Sequence, residues 1–394
     1  MAKDGSYFQA AKFAETTPKL DDFRLTLKRG GEELDLTPRD VKIQSLRGID
    51  LKDAPVVVLP SNGAVPPIEG RVVAGAERRY GTESYLNLLQ SRRPALILLM
   101  SRDRQAEAAA PWLEEADAAT APVIRIAQDD AFAALSGRRA LTVSLHLAPP
   151  AREDVTLENV AGILHGSDPV LKDQYVLLTA HYDHLGTMSP APGDRIYNGA
   201  NDNASGTVSV IEIAAALASM QPHPKRSILF MAVFGEEKGL LGSYYYTRHP
   251  LVPLKSTVAD INLEQMGRTD DTDGPKVGSF AFTGPAYSDL PAMMESAAKA
   301  EGVKVSKHAD ADSYFDRSDN YAFALAGIVA HTIAVAFEFP DYHAVGDEWR
   351  KIDYENMAKV DKAVAAGVAA VADAADAPHW SNAPDAAEYR EAGK

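Results

Sequence analysis

The chain has 394 residues, 46% hydrophobic and 24% charged, a globular composition with length for about two domains. Its formal net charge of −15 excludes the basic surface on which nucleic-acid binding depends, and no apolar run approaches the roughly 18 residues needed to span a bilayer. The absence of cysteine excludes disulfides and thiolate metal ligands, and fits an oxidising or a reducing compartment equally.

At the amino terminus no basic stretch precedes an apolar core of about 7–15 residues, so no secretory signal is visible. Residues 1–49 are read as an amino-terminal segment that belongs with the domain formed by residues 150–375. Residues 50–149 alternate short apolar runs with polar stretches. They predict strands at Ala54–Leu59, Arg71–Ala74, Ala95–Met100, Pro122–Ile126 and Ala140–Leu147, and a helix over Glu83–Ser91. No cluster of candidate ligands falls there. Pro149-Pro150 marks a seam, because proline pairs favour extended linkers.

Residues 150–375 carry the chemistry. Tyr175–Ala180 is an apolar run that leads into His181-Tyr182-Asp183, and Ser227–Phe234 leads into Gly235-Glu236-Glu237. Val258–Leu263 leads into Glu264. Ligands at the carboxyl ends of neighbouring strands converge in one crevice of an open α/β sheet. Asp202 lies in a turn rich in Asn and Gly just before a predicted helix over Thr207–Ala218. A second helix is predicted over Leu290–Ala300, a strand over Ile328–Ala336, and then Tyr342-His343 follows. Residues 376–394, rich in alanine and acidic residues, read as a peripheral tail.

These residue types suit two adjacent metal ions. Imidazole and carboxylate are the usual zinc ligands where an open position must be kept for water or substrate. Two ions about 3.5–4 Å apart can share one bridging carboxylate and one water. Asp183, two residues beyond His181, is expected to accept a hydrogen bond from the second imidazole nitrogen and fix its orientation. Of the adjacent pair Glu236 and Glu237, one can bind metal while the other moves a proton. His184 either touches the cleft or is structural, and His331, inside an apolar strand, reads as a core histidine. His146, His165, His223, His249, His308 and His379 have no partner at metal spacing.

In combination, His181-Tyr182-Asp183-His184-Leu185-Gly186, the Asn198–Gly206 turn, Phe234–Ser243, Ile261–Arg268 and Asp341-Tyr342-His343 resemble the family-28 metallopeptidases, co-catalytic two-zinc exopeptidases. The resemblance implies that His181 and Glu264 hold one zinc, Glu237 and His343 the other, and Asp202 bridges both. It makes Glu236 the general base and Tyr342 either a donor to the oxyanion or a packed aromatic. Two positions depart from the pattern: many relatives have Asp at the place of Glu264, and the Asp316–Asn320 loop often carries His at the place of Asn320.

The fold so implied is α/β, a mixed, mostly parallel central sheet flanked by helices on both faces, with a smaller protease-associated-like α/β domain inserted at 50–149. That insert either walls the cleft or is purely structural. The segment Gly5–Gln9 resembles one that follows a signal peptide and the first helices in relatives, so the resemblance implies a shortened amino terminus and a secreted or periplasmic location. A second peptidase family uses a similar ligand order but inserts a dimerisation domain between its last two ligands; residues 265–342 are too few for a domain of ordinary size.

The function expected is a zinc-dependent aminopeptidase acting on peptides, with a bridging water activated by Glu236. The alternatives are a carboxypeptidase, disfavoured because Ala330–Ala334 lacks an arginine cluster, a glutaminyl-cyclase-like acyl transferase, and a non-catalytic relative. The sequence sets no oligomeric state.

Overall fold

The structure is a computed structural model that describes residues 5–60, 65–76, 82–101, 110–127, 140–187 and 193–393. The chain forms two compact units, residues 12–157 and residues 1–11 with 158–394.

Strand β1 (Phe8–Thr17) begins in the larger unit and ends in the smaller. In the smaller unit follow β2 (Arg24–Arg29), β3 (Glu32–Leu36), β4 (Val41–Gln44), β5 (Ile49–Val58) and β6 (Val72–Ala76). Helix α1 (Thr82–Ser91) precedes β7 (Leu96–Met100), β8 (Trp112–Glu115), β9 (Val123–Ile126) and β10 (Leu141–Leu147). The main sheet runs β3-β2-β10-β5-β6-β7-β9-β4, parallel in its β5-β6-β7-β9 centre and antiparallel outside it.

Each predicted strand between 54 and 147 therefore has a counterpart. Residues 24–44, expected with the catalytic domain, instead supply β2, β3 and β4 to this sheet. The cause is register. Leu25 and Leu27 pair opposite Leu145 and Val143 of β10, and the four side chains share one apolar cluster with Leu36.

Strand β11 (Ala151–Leu164) begins in the smaller unit and ends in the larger, where it is followed by β12 (Tyr175–His181), helix α2 (Gly206–Ser219), β13 (Ser227–Val233), helix α3 (Leu241–Arg248) and β14 (Thr257–Glu264). Then come β15 (Ser279–Phe282), α4 (Leu290–Ala300), β16 (Lys304–Ser306), α5 (Asn320–Leu325), β17 (Val329–Ala334), α6 (Tyr354–Asp373) and α7 (Ala387–Ala392). Within this unit the sheet order is β16-β15-β17-β14-β12-β13-β11-β1, the last by the first residues of β1. Strands β13, β12, β14 and β17 are mutually parallel, β11 is antiparallel to β13, and β15 antiparallel to β17. This is the mixed, mostly parallel α/β sheet expected.

The alternation of side chains distributes each strand between two cores. Val176, Leu178 and Ala180 of β12 pack with Ile213 of α2, Met294 of α4 and Val364 of α6. Leu177 packs on the opposite side with Tyr246 of α3, Phe323 of α5 and Tyr389 of α7. Strands covered on both faces tend to be apolar on both, which is why 175–180 and 227–234 read as near-continuous apolar runs, whereas 258–263 alternates apolar residues with the buried, hydrogen-bonded Asp260 and Asn262. Among the described residues no helix is long and apolar enough to cross a membrane.

The tail is not peripheral. Tyr389 is buried, its ring 5.3 Å from that of Trp380 and 5.2 Å from that of Phe315, and the Trp380 indole donates to the carbonyl of Gly327. Alanine-rich, acidic composition hid two aromatic anchors that dock the segment on the α5 side of the sheet.

His331, on β17, is fully buried. One ring nitrogen donates to the carbonyl of Thr283 at 2.8 Å, and the other accepts from the Ser288 hydroxyl at 2.6 Å. The neutral ring is satisfied, and burial pushes its pKa down to about 4. The unfolded chain takes up this proton near pH 6.5, so the stability held by the neutral ring is complete above that pH and is lost as pH falls towards 4. Denaturant titration at pH 6.5 and pH 5 is expected to show about 2 kcal/mol less stability at the lower pH from this group, at roughly 1.4 kcal/mol per pH unit. His331→Gln removes that component; an unchanged pH slope in the variant contradicts the assignment.

Candidate metal centre

The five strand-end and loop segments singled out in the sequence meet at the carboxyl edge of the β13-β12-β14-β17 sheet. His181 ends β12, Glu264 ends β14, and Glu236 and Glu237 form the turn after β13. Asp202 comes from the turn before α2, and His343 from the loop after β17. All belong to the larger unit.

Asp202 lies between the two histidines. Its Oδ1 is 3.4 Å from His181 Nε2 and its Oδ2 is 3.1 Å from His343 Nε2. Glu264 Oε1 lies 3.4 Å from His181 Nε2, and Glu237 Oε2 lies 3.4 Å from His343 Nε2. The pairs expected from the sequence, His181 with Glu264 and Glu237 with His343, are thus adjacent, with one oxygen of Asp202 turned to each. Glu236 Oε2 is 3.9 Å from His181 Nε2, on the His181 side.

The orientation of His181 is fixed differently from the expectation. Its Nδ1 donates to the backbone carbonyl of Asp183 at 3.0 Å, whereas the Asp183 carboxylate is 3.7 Å away. That carboxylate accepts from the amides of Glu236 (3.1 Å) and Glu237 (3.3 Å), whose unpaired N–H groups open a helical turn and attract an anion. With Nδ1 carrying the proton, Nε2 presents a lone pair to the cleft. Asp183 therefore ties the imidazole and the glutamate pair into one frame.

The turn around Asp202 is zipped to the end of β14. The Asn203 side chain donates to the carbonyl of Leu263 and accepts from the amides of Gly206 and Gln265. Asn201 Oδ1 accepts from the amides of Gly267 and Arg268. Gly206 is required here, because a Cβ would lie 2.4 Å from the Leu263 carbonyl. Gly199, at φ +63, serves the same turn, where a Cβ would meet the His184 ring at 2.6 Å.

Three supports were not visible as such in the sequence. Asp347, fully buried, accepts from the amides of Asn201 and Asp202 and anchors the turn from the side of the His343 loop. The Ser318 hydroxyl donates to Glu264 Oε1 at 2.6 Å and accepts from Asn262 Nδ2 at 2.7 Å. Asn320, where relatives often carry His, is buried, donating to the carbonyl of Phe315 and accepting from Thr332, so its role is to hold the loop. The polar residues within the apolar strand 257–264 were a usable signal, since a buried polar side chain must find partners. Asp347, one acidic residue in a loop, gave none.

The electrostatics follow from crowding. Burial would raise the pKa of Asp202, yet its hydrogen bonds to His181 and His343 hold it well below the usual carboxylate range. Burial, offset by His181, pushes Glu236 well up, and Glu264 and Glu237 add to this. Burial opposes a charge on His181, but Glu264 and Glu236 raise its pKa well above that of a free imidazole.

The donor set fits zinc. Nitrogen and oxygen donors converge, while both ring nitrogens of His184 and Oε1 of Glu237 are buried without an aligned hydrogen-bond partner among the described residues. His184 Nδ1 and that oxygen are 2.7 Å apart but misaligned. Orphaned buried polar atoms beside crowded carboxylates carry a cost that a bound cation offsets. His184 therefore belongs to the site. A second grouping, Asp271 with Asp273 and His308, is occupied by the protein itself: Asp271 accepts from the amide of Phe337, Asp273 pairs with Lys276, and His308 Nδ1 accepts from the amide of Asp310.

The centre opens into a cleft lined also by Thr283, Arg317, Thr332 and Phe337. Tyr342 lines it, its ring stacked 4.0 Å from that of His343, and burial raises the pKa of the phenol. His343 has φ +53 and Gln265 φ +50, left-handed conformations that cost a non-glycine residue about 1–3 kcal/mol and place strain at the site's rim.

A family model described as Peptidase family M28 matches residues 159–368, more than half of the chain. The chain is 36% identical over 156 residues to a probable zinc metalloprotease of Pyrenophora tritici-repentis (strain Pt-1C-BFP), a match covering 37% of this chain and 29% of that protein. It is 35% identical over 147 residues to aminopeptidase YwaD of Bacillus subtilis (strain 168), again covering 37% of this chain and 29% of the relative. The matches thus span under a third of the length of these two curated relatives. Among solved structures, the aminopeptidase from Aneurinibacillus sp. strain AM-1 shares the fold, with a TM-score of 0.50 and 18% identity over 92% of this chain and 84% of that one.

Removing the Asp347 carboxylate tests the support of the turn. Asp347→Ala is expected to lower zinc affinity by about 10–100-fold, the usual effect of losing a group that orients a ligand, in a competitive chelator titration. Equal affinity in variant and wild type refutes the anchoring role.

Proposed function

The chain belongs to peptidase family M28, and we propose that it is a two-zinc aminopeptidase that removes amino-terminal residues from peptides. The observation that carries this reading is Asp202 with one oxygen towards each of two imidazoles, each imidazole beside its own glutamate, in one open cleft. His181 and Glu264 would hold one zinc, Glu237 and His343 the second, and Asp202 both. When bound, zinc acidifies water and polarises a carbonyl oxygen.

The remaining chemistry belongs to the side chains. Glu236 lines the cleft and is not needed as a ligand, so its carboxylate is free to take a proton from the attacking water and return it to the leaving amine. Asp183 keeps Glu236 placed by accepting from its amide. The Tyr342 hydroxyl, lining the same cleft, donates to the oxygen that gains charge as the carbonyl is attacked. The acidic ligand end suits the ammonium of a peptide amino terminus and supports aminopeptidase over carboxypeptidase action. The protease-associated-like reading of the smaller unit and a secreted or periplasmic location belong to the same proposal and rest on the family.

The test is hydrolysis of alanine, leucine and lysine anilides after chelation and after zinc is restored. Turnover is expected only with zinc. Glu236→Gln is expected to lower kcat by about 10²–10⁴-fold with zinc content unchanged, and Tyr342→Phe by about 10²-fold. Full activity of zinc-loaded Glu236→Gln defeats the general-base assignment. A folded, zinc-loaded protein inert towards every anilide defeats the aminopeptidase reading.

A further inference from the structure

Arg317 lines the cleft beside Ser318, the residue that holds Glu264. Its backbone amide donates to the carbonyl of Tyr314 at 3.2 Å, closing the loop before α5. Its guanidinium lies over the Tyr314 ring, 4.7 Å from the centroid. That ring is itself fixed: it packs 5.0 Å from Phe337, and its hydroxyl donates to Glu338. The loop pins the backbone of Arg317 at one end and the ring supports its guanidinium at the other, which lowers the entropy lost when the fork is used.

The guanidinium has no carboxylate partner within ion-pair distance among the described residues. Arg268, by contrast, is buried and held by both Asp270 and Asp341. Among the described residues Arg317 is the single arginine or lysine in a lining whose carboxylates, Asp202, Glu236 and Glu264, all sit at the ligand end, the rest of the wall being neutral groups such as Thr283, Thr332 and Phe337. A planar fork without a partner, stacked on an aromatic ring in a wall of neutral groups, is suited to bidentate capture of a carboxylate.

We propose that Arg317 makes this cleft select substrates carrying a carboxylate close to the scissile bond. The inference rests on the peptidase reading of the same cleft. Two sources share that chemistry, an acidic side chain on the first residue and the free terminal carboxylate of a dipeptide. The bland role for the same residue is a solvated cation covering the Tyr314 ring.

The experiment uses the zinc-loaded full chain and isosteric pairs, glutamyl against glutaminyl p-nitroanilide and Leu-Gly against Leu-Gly-amide. Each pair is scored as a ratio of kcat/KM within one protein, so that differences in active fraction between variants cancel. In the wild type the acid is expected to be favoured at least about tenfold in one pair, and which pair responds identifies the source of the carboxylate. Arg317→Gln is expected to bring that ratio close to one, and Arg317→Lys to keep part of it. The same ligand pairs are titrated calorimetrically into Glu236→Gln and into Glu236→Gln with Arg317→Gln. A preference for the acid that requires Arg317 in this binding measurement upholds the inference even if no substrate is turned over, an outcome that counts against the peptidase reading alone. No preference in either wild-type pair, or a preference that survives Arg317→Gln, overturns it.

Discussion

Four carboxylates, those of Asp202, Glu236, Glu237 and Glu264, are gathered at one edge of the larger unit's sheet, and their mutual repulsion is the constraint around which that unit is organised. In water the groups would separate. Here each is held by contacts that do not depend on the others: Asp202 by the turn that Asp347 anchors, Glu264 by Ser318, and the Glu236–Glu237 turn by the carboxylate of Asp183. The two imidazoles lie between them, and a pair of divalent cations would reverse the sign of the local electrostatics. The scaffold thus stores an arrangement that is unfavourable by itself and favourable once filled.

Parallel strands make this possible. Because β12, β13 and β17 have apolar packing on both faces, and β14 has it on one face with the hydrogen-bonded Asp260 and Asn262 on the other, their ends are fixed in space, and the residues leaving those ends inherit that rigidity. The loops contribute where extended strands cannot reach. His343 and Gln265 adopt left-handed backbone conformations that only a well-supported loop sustains, and the asparagines of the Asp202 turn replace the regular hydrogen bonds that a turn at a sheet edge would lack. Stability held in the body of the sheet is drawn on at its rim.

The same contrast separates the two arginines near the centre. Arg268 is saturated by two aspartates and serves the frame, while Arg317 rests on a tyrosine ring and faces the cleft with its fork available. Identical side chains in one unit serve different ends because one has been given its anions by the fold and the other has been left to find one.

What the sequence determined by itself were the parts governed by local rules. Apolar runs fixed β12, β13 and β14, helix propensity fixed α2 and α4, and the residue types of His181, Asp202, Glu236, Glu237, Glu264 and His343 announced metal chemistry because few other arrangements use them. Tertiary structure decided what depends on contacts distant in the chain. It placed residues 24–44 in the smaller unit through pairing with β10, and docked the alanine-rich tail by Trp380 and Tyr389. It gave the imidazole of His181 a carbonyl partner, so that the Asp183 carboxylate could serve the glutamate turn instead. It also recruited Asp347 and His184, an ordinary loop acid and an ordinary loop histidine in the sequence. A side chain's chemistry is written in its identity, but its hydrogen-bond partner is set by which backbone group arrives beside it, and that is known only when the strands have packed.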